Sequence, residues 1–324
     1  MKRDKSADYV KAIAAVLVVI FHIPQLTGGM LESVWSGFIL FLYTTHVPAF
    51  FVVSGVMLEK SMRKYAPIEV IKNKFFNIQV VGVIWTLLYI PMYNNDLSRA
   101  FHNMWYFYFL FAGVLIIVAA RFVKINNRIL SIILFLLFII LAFYSRQFSK
   151  LFLHALLIEF GYLLGGKGCG INLGRKNSLL VLVVYCLSYI IYGMIYDFNM
   201  SNENQMRIPL ILLMLLKIVG AFVIPSLVSL FCNIDSDDII LEKFNKCLSY
   251  IGENSLTIYI LQWPFCRIIE NIPVVSIWQM LLEVIICLVI CSLLTEVIKK
   301  IRLYNLLFRP YELVKKLCHD KRYP

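Results

Sequence analysis

Ten apolar runs dominate this chain, at roughly 8–26, 34–58, 75–93, 104–120, 128–144, 150–166, 178–197, 208–231, 249–270 and 274–298. A helix needs about 17–25 such residues to cross the hydrocarbon core of a bilayer. In lipid the backbone must satisfy its own hydrogen bonds, so runs of this kind fold as helices. The expected fold is therefore all-α: a polytopic membrane bundle of about ten transmembrane helices. Composition agrees, with 60% of residues hydrophobic, 15% charged and a mean hydropathy of +0.79. No soluble globular domain of 324 residues has that balance. Pro48 and Pro225 are expected kink points in the two longest runs.

The chain carries 31 Lys+Arg against 19 Asp+Glu. In a soluble protein such a surplus points to nucleic acid, but no basic patch sits on a soluble fold here, and nucleic acid is excluded as a partner. The charge is distributed as in a membrane protein. Segments 1–7, 59–74, 121–128, 167–177, 232–248 and 299–324 hold 24 of the Lys+Arg, and the alternate loops hold 5. The positive-inside rule then places both termini in the cytoplasm. Residues 1–298 read as one membrane domain and 299–324 as a basic cytoplasmic tail that anchors against anionic lipid. The eight cysteines form no CxxC pair, so neither a disulfide framework nor a zinc site is expected, and no metal cofactor is implied.

Ionisable residues inside spans mark functional sites by default. Lys11 and His22 share the first span. Eleven residues at 100° each make three turns plus roughly 20°, so the two lie on one face about 16 Å apart along the axis. The second span carries Thr45-His46-Val-Pro-Ala-Phe-Phe-Val-Val-Ser-Gly55. In the ninth, Ser255, Tyr259 and Gln262 fall at i, i+4 and i+7, one stripe that faces the bundle. Each of these residues also has a structural reading as an interhelical packing or hydrogen-bonding group. His154 and Glu159 share a span about 140° apart, and Lys217 stands alone in the eighth; the pattern assigns them either proton-path or structural ion-pair roles. His102 is expected in an external loop.

Taken in order, Lys11-x10-His22, His46-Val-Pro-Ala-Phe-Phe-Val-Val-Ser-Gly, Trp105-Tyr-Phe and Ile251-Gly-Glu-Asn-Ser-Leu-Thr-Ile-Tyr-Ile-Leu-Gln262 resemble the integral-membrane acyltransferase family 3, which includes O-acetyltransferases of bacterial surface sugars. The resemblance implies acetyl-CoA as donor substrate and a glycan or lipid-linked sugar as acceptor, in a bacterial inner membrane. It implies His22 as the general base, and Lys11, Lys72 and Lys74 at the coenzyme phosphates. It also implies His46, Trp105, Ser255, Tyr259 and Gln262 around the acceptor. The sequence departs from the family pattern at three places. Lys11 stands where arginine is usual, Lys74-Phe-Phe-Asn77 holds half of an Arg-x-x-Arg element, and Gln262 replaces a closing histidine. Histidine suits the base role because its unperturbed pKa lies near neutrality and a sugar hydroxyl is a poor nucleophile. No nucleophile elbow or soluble esterase-like domain is visible within the 324 residues, which favours direct transfer. The alternative is a proton-coupled transporter or flippase of a polar or sugar substrate; a non-catalytic sensor is a third reading.

Overall fold

A computed structural model describes residues 5–27, 36–166, 171–198, 207–231, 239–272, 274, 276–301 and 303–320. Cys169, Cys232 and the charges at 1–4, 167–170, 232–238, 302 and 321–324 lie outside them. The described residues are predominantly helical, with eight helices long and apolar enough to cross a membrane. It is a multi-pass bundle, as expected.

The helices are α1 (Lys5–Thr27), α2 (Ser36–Lys64), α3 (Pro67–Lys74), α4 (Val81–Tyr89), α5 (Leu97–Asn103), α6 (Trp105–Phe122), α7 (Asn127–Ala142), α8 (Arg146–Gly166), α9 (Arg175–Tyr196), α10 (Arg207–Gly220), α11 (Val223–Phe231), α12 (Ile239–Glu253), α13 (Ser255–Ile269), α14 (Ile277–Lys300), α15 (Tyr304–Phe308) and α16 (Pro310–Asp320). A π-helical turn, Phe75–Val80, joins α3 to α4, and the 3-10 turn Ile90–Tyr93 ends that span. The spans expected at 128–144 and 249–270 are the shorter helices α7 and α13.

α1 and α2 form the centre. α1 packs against α2, α11, α12, α13 and α14, and α2 packs against α8 and α10. Two glycine contacts set these distances. A Cβ at Gly55 would collide with the Ile158 carbonyl, and one at Gly161 with the Val52 carbonyl, so α2 and α8 cross backbone to backbone. Small residues are what allow such approach between spanning helices. Gly252 plays the same part between α12 and α1, where a Cβ would strike the Asp8 carbonyl. On the periphery, Leu282, Ile285, Val289 and Leu293 of α14 face outward, as a lipid-contacting helix requires.

Four expectations are corrected, and the kink expected at Pro225 is located. Residues 59–74 are helical rather than a loop: α2 runs through Lys64 and the third span begins at Pro67. The eighth span breaks at residues 221–222, one turn before Pro225, because proline cannot donate to the carbonyl four residues back and its ring crowds it. Pro48 leaves α2 unbroken. Residues 239–253 form the helix α12 ahead of α13, with the break at Asn254. Arg121, counted as a loop charge, sits in the last turn of α6, and its Nη2 donates to both carboxylate oxygens of the buried Glu159 at 2.5 Å. Its guanidinium also covers the Tyr162 ring, 4.6 Å from the centroid. That pairing gives Glu159 a structural role.

The basic tail docks. Trp85 Nε1 donates to the Leu307 carbonyl at 3.1 Å, and its ring lies 5.3 Å from Phe308. Asn77 Oδ1 accepts from the Tyr311 amide at 3.2 Å, and the Tyr311 hydroxyl donates to Glu69 at 3.3 Å. Asn77, which fills the second basic position of the family's element, here holds α16 instead.

Candidate active site

The unbroken helix α1 sets Lys11 and His22 on one face, about 16 Å apart from its rise of 1.5 Å per residue. Lys11 lies near the end of the bundle where α1 starts, and its ammonium pairs with Asp8 at 2.7 Å. Asp8 is buried and was not identified from sequence, although its i, i+3 spacing to Lys11 on a helix is a usable signal. Lys74, half-buried, is close enough to feel the charge of Lys11. Lys72 is exposed on α3.

Toward the far end of α1, His22 meets α13. Its ring lies 4.5 Å from Trp263 and 5.5 Å from Phe21, and the Gln262 side chain reaches it. Gln262 is fully buried and donates through Nε2 to the Tyr259 carbonyl at 3.1 Å. Three buried polar atoms at this locus have no hydrogen-bond partner among the described residues: His22 Nδ1, Gln262 Oε1 and Trp263 Nε1. Buried polar atoms are nearly always paired, so three orphans around one imidazole need a reason, and a bound reactant supplies one. Trp263 adjoins Gln262 in the motif; sequence reasoning stopped one residue short of it.

His46 enters from α2. Its Nδ1 bonds the Leu42 carbonyl closely, and its ring lies 5.1 Å from Phe21. That bond makes Nδ1 the protonated nitrogen and leaves the lone pair on Nε2. Lys217, from α10, lies with its ammonium 3.5 Å from the centre of the Tyr43 ring and near enough to His46 to act on its charge. Cation–π contact is one way a buried ammonium is accommodated.

The remaining expected residues divide. Tyr259 and Ser255 are buried in the bundle, and the Tyr259 hydroxyl donates to the Asn103 carbonyl at 3.1 Å. Trp105 is not part of the His22 cluster. It packs 5.5 Å from His154, which stacks on Phe51 at 4.2 Å. A ring chain from Phe51 through Tyr106 to Tyr259, with centroids 5.2 and 5.4 Å apart, links this second group to α13. Cys287 and Cys291 stand one turn apart with sulfurs at 4.0 Å, and no group of three or more metal-ligating side chains occurs among the described residues.

The site thus has a cationic end, a half-buried imidazole about 16 Å deeper with its Nδ1 covered, and unsatisfied donors and acceptors around that imidazole. No curated protein and no solved structure matches the chain significantly. A family model described as an acyltransferase domain, acyltransferase family 3, matches residues 4–298, nearly the whole chain. The protein therefore belongs to acyltransferase family 3 and is a membrane acyltransferase.

Proposed function

We propose that this acyltransferase moves an acetyl group from acetyl-CoA to a hydroxyl of a surface polysaccharide or lipid-linked sugar, with His22 as general base. The observation that carries the reading is the set of three unpartnered atoms at His22, Gln262 and Trp263. The excess of Lys+Arg on one set of loops supports a bacterial inner-membrane protein with both termini in the cytoplasm, so that the coenzyme approaches the Lys11 end.

Each orphan has a task in acyl transfer. Gln262 Oε1 accepts from a neighbouring hydroxyl of the sugar and so orients the ring, leaving the reacting O–H to point at His22. His22 takes its proton through Nδ1 as the oxygen attacks the thioester carbonyl. Trp263 Nε1 donates to the oxyanion that forms. On collapse the C–S bond breaks, and the imidazolium returns the proton to the departing thiolate. The products are the sugar ester and free coenzyme, with no net proton change. Lys11 and Lys74 meet the coenzyme phosphates, and the extended pantetheine arm spans the face between Lys11 and His22. Lysine gives charge without the bidentate fork of arginine. Lys72 and Trp105 have supporting places in this scheme: the first as an exposed charge that draws in an anionic donor, the second beside His154 on the acceptor side. His46, with Nε2 free of its backbone bond, and Ser255 and Tyr259 line the same reading of the acceptor.

Two variants test the assignment. Lys11→Ala is expected to weaken acetyl-CoA binding about tenfold, roughly 1.4 kcal/mol, by titration of purified protein; Lys11→Arg retains affinity. Trp263→Phe keeps the ring against His22 and removes only the N–H. Its kcat should fall about 100-fold with coenzyme affinity unchanged. The reading as a whole is tested by mass spectrometry of surface glycans from cells with and without the protein. A gain of one acetyl mass on a defined sugar supports it, and identical glycans refute it.

A further inference from the structure

We propose that the docked tail completes the donor site: Tyr311 of α16 and Asn77 of the π-helical turn are positioning residues that hold Lys74 in place for the coenzyme. This rests on the acyl-transfer reading, in which Lys74 meets the coenzyme phosphates. The family match ends at residue 298, so the device belongs to a part of this chain outside it.

The third span, Pro67–Tyr93, is weakly held from inside the bundle. Only 28% of its apolar stretch is buried, against 61% for α1 and 72% for α2. None of the six residues in the turn Phe75–Val80 is buried. A π-helical turn is rare, and such turns are frequent at functional sites. Lys74 is the residue from which this one starts, so its direction depends on how the turn is held. Lys74 is close enough to Lys11 to feel its charge. Like charges repel, so Lys74 stays there only if the segment that carries it is fixed.

The tail supplies the fixing from the other side. The Tyr311 amide donates to Asn77 Oδ1 at 3.2 Å, and the Tyr311 hydroxyl donates to Glu69 at 3.3 Å. Its ring lies 6.2 Å from that of Phe76. Residues 69–77 carry both Lys72 and Lys74, so one tyrosine braces the cationic segment at its two ends. Behind it, Phe308 is 2% exposed and packs on Trp85, whose indole N–H holds the Leu307 carbonyl. A tail that only lay on lipid would not bury that ring against a spanning helix.

The chemistry of position 77 fits this role. Pro310 opens α16, where its missing N–H is not needed. The amide of Tyr311, next in the first turn, has no intrahelical acceptor and needs a cap. Arg309, at the cap position, has no side-chain acceptor. Asparagine is among the best capping residues, and Asn77 provides its oxygen from another element. An arginine at 77 has donors only and could not make this bond. The departure from the family's Arg-x-x-Arg element therefore exchanges a second cation for a brace on the first.

The test titrates acetyl-CoA into purified full-length protein in phosphatidylcholine nanodiscs, where no anionic lipid competes for the tail. Tyr311→Ala is expected to weaken binding about tenfold. Lys74→Ala should weaken it about tenfold as well. The double variant should bind no more weakly than Lys74→Ala alone, because the tail acts through that lysine. Tyr311→Phe keeps the ring and the capped amide and should lose no more than about threefold. Coupling is reciprocal, so acetyl-CoA must in turn steady the tail. Should Tyr311→Ala fail to fold, hydrogen exchange on the unaltered protein decides: saturating acetyl-CoA is expected to slow amide exchange across residues 305–313. Unchanged affinity in Tyr311→Ala, beside a loss in Lys74→Ala, overturns this inference and leaves the donor reading standing. Losses that multiply in the double variant, a loss in Tyr311→Ala with none in Lys74→Ala, or tail exchange indifferent to acetyl-CoA also overturn it. Failure of the unaltered protein to bind acetyl-CoA removes the donor reading and this inference together.

Discussion

His22→Ala should lower acyl transfer by on the order of 10²–10⁴-fold while the protein still inserts and still binds acetyl-CoA. The reason is geometric. Lys11, the proposed donor contact on the same helix, is about 16 Å away, so removing the imidazole leaves it in place. A histidine that only filled space between α1 and α13 would behave otherwise. Its loss would reduce folded protein and leave the specific activity of the remainder intact. Coenzyme titration beside turnover, both normalised to folded protein, separates the two roles. Wild-type specific activity in the alanine variant would eliminate the imidazole as base.

A second large effect is expected far from the chemistry. Gly55→Val should prevent accumulation of folded protein, with a stability loss of about 3 kcal/mol or more. The added carbons meet the backbone of α8 at Ile158, Gly161 and Tyr162, where no side chain can swing aside. α2 also carries His46, so the same displacement moves the site. Thermal unfolding in detergent measures the loss. An unchanged midpoint would mean that α2 and α8 do not cross as described. Gly166→Ala serves as the control, because a Cβ there meets nothing within 4 Å.

The two effects bear on what the sequence made legible. Spanning helices announce themselves, because each must be apolar over its own length regardless of its neighbours. Residues 239–248 were hidden because α12 is amphipathic, with Glu242, Lys243 and Lys246 interrupting its apolar residues. Local composition there looks like a loop. The break in the eighth span was foreseeable in kind from Pro225 but fell one turn upstream, at the carbonyl the proline leaves unpaired.

Within the site, residues linked through one helix could be found, and those linked across helices could not. Lys11 with His22, and Tyr259 with Gln262, follow from helical spacing alone. Arg121 and Glu159 are separated by 38 positions, and nothing local to either names the other. Trp105 with His154 rather than His22 depends on how α6 and α8 pack. Trp263 was within reach, since it follows Gln262 directly. Tryptophan in a membrane span usually reads as packing or an interfacial anchor, and only its orphaned N–H beside His22 gives it a chemical task.

The most direct measurement is a single-turnover assay in sealed vesicles of defined orientation, with labelled acetyl-CoA supplied to one face and a glycan acceptor to both. The account predicts label on a sugar hydroxyl only when the coenzyme is on the face bearing the termini, and none with His22→Ala. Label transferred with the coenzyme restricted to the opposite face, or transfer undiminished without the imidazole, would contradict it.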